Sequence, residues 1–241
     1  MVSVSRHGAV SDYRNKNVNG AIAGIYNPCR TILNEHRPVC SYEASFYGKY
    51  LDVTDNPDVW FPLVDAGSIA YSSKVLTMTT ATGAATETRA VINTYAYPIT
   101  GNFIEATFKI VSMTTGAGGT RNTFFGFASA LSAFPATERA GFQLDDSGVC
   151  YLVYRGGSKL LSECPIGRSL QGGDIITVRL DRQEGSSNID ITRWYINGQK
   201  QFESTAIPQA NVYAGLGVYC DASCSTARAV GIDYFGFRWV P

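Results

Sequence analysis

The stretch WYINGQKQF, residues 194–202, carries the strongest local signal in the chain. Asn197-Gly198 lies between two runs rich in aromatic and β-branched residues. That dipeptide accepts positive φ at both central positions of a turn, so it predicts a two-residue type I′ hairpin. The question is which larger sheet the hairpin joins.

Outward from the hairpin, a period of two runs through most of the chain after about residue 58. It predicts strands near Ile69–Tyr71, Val75–Thr80, Thr88–Thr94, Asn102–Ser112, Asn122–Ala128, Ala140–Leu144, Cys150–Tyr154, Ile175–Arg182, Ile189–Ile196, Lys200–Ser204, Tyr213–Cys220 and Val230–Trp239. Turn clusters such as ATGAAT (81–86), TTGAGGT (114–120), DDSG (145–148) and EGSSN (184–188) separate them. About a dozen short strands with no convincing helix predict a β-sandwich or barrel. In FIEATFKIV (103–111), Phe103, Glu105, Thr107 and Lys109 share an outward face, and Ile104, Ala106, Phe108 and Ile110 an inward one. In NIDITRWYI (188–196) both faces are mixed, the pattern of a strand with core on one side and a binding surface on the other.

The first 57 residues read differently. They are polar, rich in Asn, Gly and Tyr, and lack a sustained period. They are expected to form an extended irregular arm that wraps its own domain or docks on a neighbouring subunit. The domain division is therefore an arm at 1–57 and a β-sandwich at 58–241.

Composition excludes several classes. Lys plus Arg and Asp plus Glu number 20 each, with no polybasic run, so no electrostatic grip on nucleic acid is expected. No stretch approaches 18 apolar residues, so no transmembrane helix is expected. The N-terminus lacks a charged segment followed by an apolar one and does not read as a signal peptide. Such a chain is expected at an extracellular or virion surface, reaching it by a leader already removed or inside a particle.

Cys29, Cys40, Cys150, Cys164, Cys220 and Cys224 could pair in sequence order, but six cysteines allow about fifteen pairings. The spacing does not suit a zinc site, and His7 and His36 lie far from the cysteines of the sandwich.

VWFPLVDAGSIAYSSKVLTMTT (59–80), YPITGNFIEATFKI (97–110), AGFQLDDSGVCYLVYRGG (140–157), and GDIITVRLDR (173–182) followed by ITRWYINGQKQF (191–202), together with the closing GIDYFGFRWV (231–240), follow one another as strand, turn and return strand. In this order the chain, over about residues 58–241, resembles the concanavalin A-like jelly roll of legume lectins, laminin G domains and glucanases. The resemblance implies an all-β antiparallel sandwich whose concave sheet or loop rim takes carbohydrate. The arm has no counterpart in that fold.

Cleavage chemistry is thin. Glucanases of the resembled fold use carboxylates alternating along one strand, and no such spacing occurs. A polysaccharide lyase would want an Arg/Glu strand, for which TETRAVI (86–92) is a faint match, and a Gln/His pair, whose His is missing. No G-x-S-x-G elbow is present. The expectation is a protein without catalytic residues and without a cofactor. Binding is better supplied: Trp194, Tyr195, Tyr151, Tyr154, Arg155, Tyr219 and Asp221 are the candidate glycan contacts, against the alternative that aromatic residues simply pack the core. For calcium, known in lectins of the resembled fold, the oxygen donors would be Asp145, Asp146 and Asp221, which sequence does not bring together. The expected partners are carbohydrate or neighbouring subunits.

Overall fold

A computed structural model describes residues 29–31, 38–40, 42–47, 51–52, 60–83, 86–92, 103–114, 121–129, 138–145, 148–155, 158–163, 170–182, 190–208, 212–221 and 223–240. These form β1 (Cys29–Thr31), β2 (Pro38–Cys40), β3 (Tyr42–Tyr47), β4 (Trp60–Val64), β5 (Ser68–Ser72), β6 (Val75–Thr79), β7 (Thr86–Ile92), β8 (Phe103–Thr114), β9 (Arg121–Ala128), β10 (Arg139–Asp145), β11 (Gly148–Arg155), β12 (Ser158–Glu163), β13 (Ile175–Arg182), β14 (Asp190–Ile196), β15 (Gln199–Ser204), β16 (Tyr213–Cys220) and β17 (Ala229–Val240). No α-helix occurs among the described residues.

Two antiparallel sheets face each other. One runs β12-β11-β10-β9-β16-β7-β4; the other runs β15-β14-β13-β8-β17-β6-β5, with β3 added beside β17. The opening hairpin is β14–β15, with Asn197 and Gly198 at φ of 52° and 77°. Its turn is tied to the body: the Ile175 N–H donates to Asn197 Oδ1 at 2.8 Å, and Asn197 Nδ2 donates to Asp174 Oδ1 at 2.9 Å.

Alternation along β8 is as the sequence predicts. Ile104, Ala106, Phe108 and Ile110 are buried, and the residues between them are partly exposed. The core lies between the sheets and has two aromatic clusters. Phe46, Phe235, Phe108 and Phe125 form a column with centroid steps of 5.6, 4.9 and 5.4 Å. Tyr151, Phe202, Trp194 and Phe142 form the other, with Tyr151 stacked on Phe202 at 5.1 Å.

The structure adds strands the periodicity did not predict: β4, β12 and, within the segment read as irregular, β1 to β3. β3 lies opposite Tyr234–Trp239 of β17, and its Phe46 is 1% exposed. The arm's residues 1–28 lie outside the described residues. Cys220 and Cys224 form a disulfide, and the backbone register sets Cys29 opposite Cys40. Cys150 is also disulfide-bonded; Cys164 lies outside the described residues.

Candidate functional site

Ala214, Leu216 and Val218 of β16, Phe125 and Phe127 of β9, Ala140, Phe142 and Leu144 of β10, and Val149, Tyr151 and Val153 of β11 all belong to the core. Because side chains alternate along a strand, the residues between them face away from it. Register then arranges that outer face in rows. Tyr219 lies opposite Asn122, and on the other side opposite Glu87 of β7; Gly217 lies opposite Phe124 and Arg89. Phe124 lies opposite Gln143, and Arg139 opposite Tyr154.

Two ends of this face differ. At one, Tyr219, Asn122 and Gln143 are each half-buried, and Gln143 Nε2 donates to Asn122 Oδ1 at 3.3 Å. That leaves amide donors and acceptors and a phenol on the surface. Phe124, directly opposite Gln143, is only 4% exposed, and at the other end Leu152 and Arg139 are 2% and 7% exposed. The Arg139 guanidinium sits 4.1 Å over the Tyr154 ring. Burial holds it below its ordinary pKa, opposed by its hydrogen bond to Tyr154.

Between the ends the strands run close. Gly126 has φ of +147°, and a Cβ there would stand 2.3 Å from the Ala140 carbonyl oxygen. A Cβ on Gly141 would meet the Phe124 ring at 2.9 Å. Side chains at these positions would force the middle of the sheet apart.

The sequence candidates scatter across this geometry. Tyr219 and Tyr154 are on the outer face of the seven-stranded sheet, at its two ends. Trp194 and Tyr151 are core residues, 0% and 3% exposed, and this corrects their reading as surface contacts. The reason is visible in their bonds: Trp194 Nε1–H donates across the sandwich to the Gly141 carbonyl at 2.8 Å, and Tyr151 is stacked on Phe202. Tyr195 is on the outer face of the other sheet, opposite Thr177 and Lys200. Asp221 follows β16 and accepts the Ser223 N–H at 2.9 Å and its hydroxyl at 2.6 Å, so it shapes the disulfide loop. The Arg155 and Asp145 side chains and all of Asp146 lie outside the described residues. Among the described residues no group of three or more His, Cys, Asp or Glu could hold a metal ion.

Asn122 and Gln143 were not among the sequence candidates. The signal for them was the phase of NTFFGFA (122–128) and GFQLD (141–145), where inward Phe125, Phe127, Phe142 and Leu144 turn Asn122 and Gln143 outward.

No protein-family model matches the chain, and no curated protein sequence matches it. Solved structures do. A protein of unknown function from Shewanella oneidensis MR-1 matches with a TM-score of 0.55 and 12% identity, over 100% of this chain and 95% of that one. A prokaryotic β-1,3-1,4-glucanase (lichenase) from a mouse hindgut metagenome matches with a TM-score of 0.53 and 12% identity, over 81% of this chain and 98% of that one. The carbohydrate recognition domain of Emp47p matches with a TM-score of 0.49 and 10% identity, over 75% of this chain and 88% of that one. The class is therefore defined: an antiparallel β-sandwich with the concanavalin A-like jelly-roll fold.

Proposed function

We propose that this is a non-enzymatic, lectin-like β-sandwich that binds carbohydrate on the outer face of its seven-stranded sheet. It would serve as a surface component of an extracellular or virion assembly. The observation that carries the binding half is the Tyr219–Asn122–Gln143 row. It combines an aromatic ring with amides on a sheet surface, the chemistry that stacks on and hydrogen-bonds to a sugar. Glycoside hydrolysis needs two carboxylates about 5–9 Å apart. The row itself, Tyr219, Asn122 and Gln143, supplies none; the side chains of Glu87, opposite Tyr219, and of Asp145 lie outside the described residues.

The test is a glycan array probed with wild-type protein and with Asn122→Ala and Tyr219→Ala. Wild type is expected to bind a defined glycan, and each variant to lose most of that binding with its melting temperature nearly unchanged. Equal binding by all three would move the site elsewhere.

A second reading, cleavage of an acidic glycan by β-elimination, is favoured by the same row. The amides of Asn122 and Gln143 would donate to a uronate carboxylate. The Tyr219 side chain, as its phenolate, would take the proton α to it; the electron pair left behind forms the C=C bond as the glycosidic C–O bond at the β carbon breaks, and the phenol so formed returns the proton to the departing oxygen. Incubation with polyuronates, followed by the ultraviolet absorbance of the unsaturated product, separates the readings: no absorbance is expected from a binding module.

A further inference from the structure

Arg228, just before β17, is 1% exposed and carries a cation into the core. Its Nε donates to the Thr123 hydroxyl, and a terminal N–H donates to the Leu144 carbonyl at 3.0 Å. Thr123 and Leu144 stand opposite one another and form the last pair at that end of the β9–β10 register. Thr123 also stands opposite Val218 of β16. Each member of this inward row is the chain neighbour of a member of the outer row: Val218 precedes Tyr219, Thr123 follows Asn122, and Leu144 follows Gln143. We propose that Arg228 is the positioning residue of the carbohydrate site, holding the seam between Asn122 and Gln143 closed from beneath. This rests on the carbohydrate-binding reading proposed above.

The seam has little else to hold it. Gln143 Nε2 reaches Asn122 Oδ1 across it at 3.3 Å, which is long for a hydrogen bond. Beyond Thr123 and Leu144 the two strands pair no further among the described residues, so the β9–β10 ladder stops one residue short of Asn122. A guanidinium suits this place. Its donors lie in one plane with fixed directions, so it bonds an acceptor on each strand at once, which an ammonium holds less rigidly. Packing alone would favour a hydrocarbon side chain there, because burying a cation is costly. The reason for an arginine lies in the bonds it makes.

The arginine is itself anchored. Its N–H donates to the Thr80 hydroxyl and its carbonyl accepts the Thr80 N–H, both at 2.9 Å. The segment leading to it follows Tyr219 and is braced by the Cys220–Cys224 disulfide and by the Gly83 N–H on the Cys224 carbonyl at 3.1 Å. Arg228 is thus tied to Tyr219 along the chain, and to Asn122 and Gln143 through the residues beside them.

The experiment compares full-length wild type with Arg228→Lys, which keeps the charge and loses the fork, and Thr123→Val, which removes one acceptor. Trp194→Phe serves as a variant that lowers stability away from the row. Binding on the glycan array is normalised to the folded fraction, and the side-chain amide signals of Asn122 and Gln143 are followed by NMR with no glycan present. Arg228→Lys and Thr123→Val are each expected to lose about tenfold in affinity, the equivalent of one well-placed hydrogen bond. Both are also expected to shift the Asn122 and Gln143 amide signals while that of Asn197 stays. Trp194→Phe should do neither. A residue that only stabilises the fold would lower the melting temperature and leave both readouts unmoved, and that result overturns the proposal. Shifted amides with unchanged affinity also overturn it. If wild type binds no glycan, the carbohydrate reading fails by itself, and the amides alone decide the rest: a shift supports the hold of Arg228 on the pair, and none overturns it. Should Arg228→Lys fail to fold, Thr123→Val carries both readouts.

Discussion

Trp194 places a large aromatic ring in the interior and spends its one polar group on the Gly141 carbonyl of the opposite sheet. Trp194→Phe should leave that buried carbonyl without its donor, costing about 1–3 kcal/mol, with glycan binding unchanged. Denaturant melts beside the array check both. Glu203 behaves oppositely. Hydrogen bonds from Arg193 and Lys200 hold its carboxyl below the usual range. Its contribution is therefore present above the unfolded-state value of about 4.3, and it is lost as pH falls through the lower folded value. The group is exposed, so the effect is small. The acid-side fall in melting temperature should be slightly shallower in Glu203→Gln. Residue type alone told little about these roles, because Trp, Tyr and Phe serve core and surface equally well. Strand phase was the better guide, and it pointed at Asn122 and Gln143 once the inward phenylalanines were identified.

The β14–β15 hairpin was legible because its turn chemistry is local. Asn197 adopts φ of 52° and bonds to Ile175 and Asp174. Asn197→Ala removes both bonds and leaves a residue that resists that conformation, so a loss of about 1–2 kcal/mol is expected, read from the unfolding midpoint. β8, β9, β13 and β16 were legible for the same kind of reason: sustained alternation between turn clusters. β4 contains Pro62, β12 (SKLLSE) is polar at both ends, and β3 lies in a segment without sustained period. Each is held by pairing with a distant or neighbouring strand rather than by its own pattern. The Arg193 network is likewise a product of register. Its guanidinium reaches Asp181 on β13 and Glu203 on β15, across strands whose order no local pattern states.

The whole sandwich depends on contacts between segments far apart in the chain, and these were the least legible part. Sequence periodicity places a boundary near residue 58, yet β3 upstream of it covers Phe235. A chain beginning at Asp58 should be destabilised, and Phe46→Ala alone should cost about 3–5 kcal/mol, both measured by denaturant titration. The candidate site has the same origin. β9 brings Asn122 between Tyr219 of β16 and Gln143 of β10, strands that local pattern does not join.

One consequence concerns synthesis. β17 is the last of these strands in chain order, yet it occupies the middle of its sheet, between β8 and the β6 and β3 pair. During translation β8 therefore waits with an open edge while the whole stretch from Thr114 to Ala229 is made. The eight-stranded sheet cannot close until β17 has left the ribosome. Closure of this sheet thus waits for the last of its strands, and the nascent chain is most in need of a chaperone just before β17 emerges.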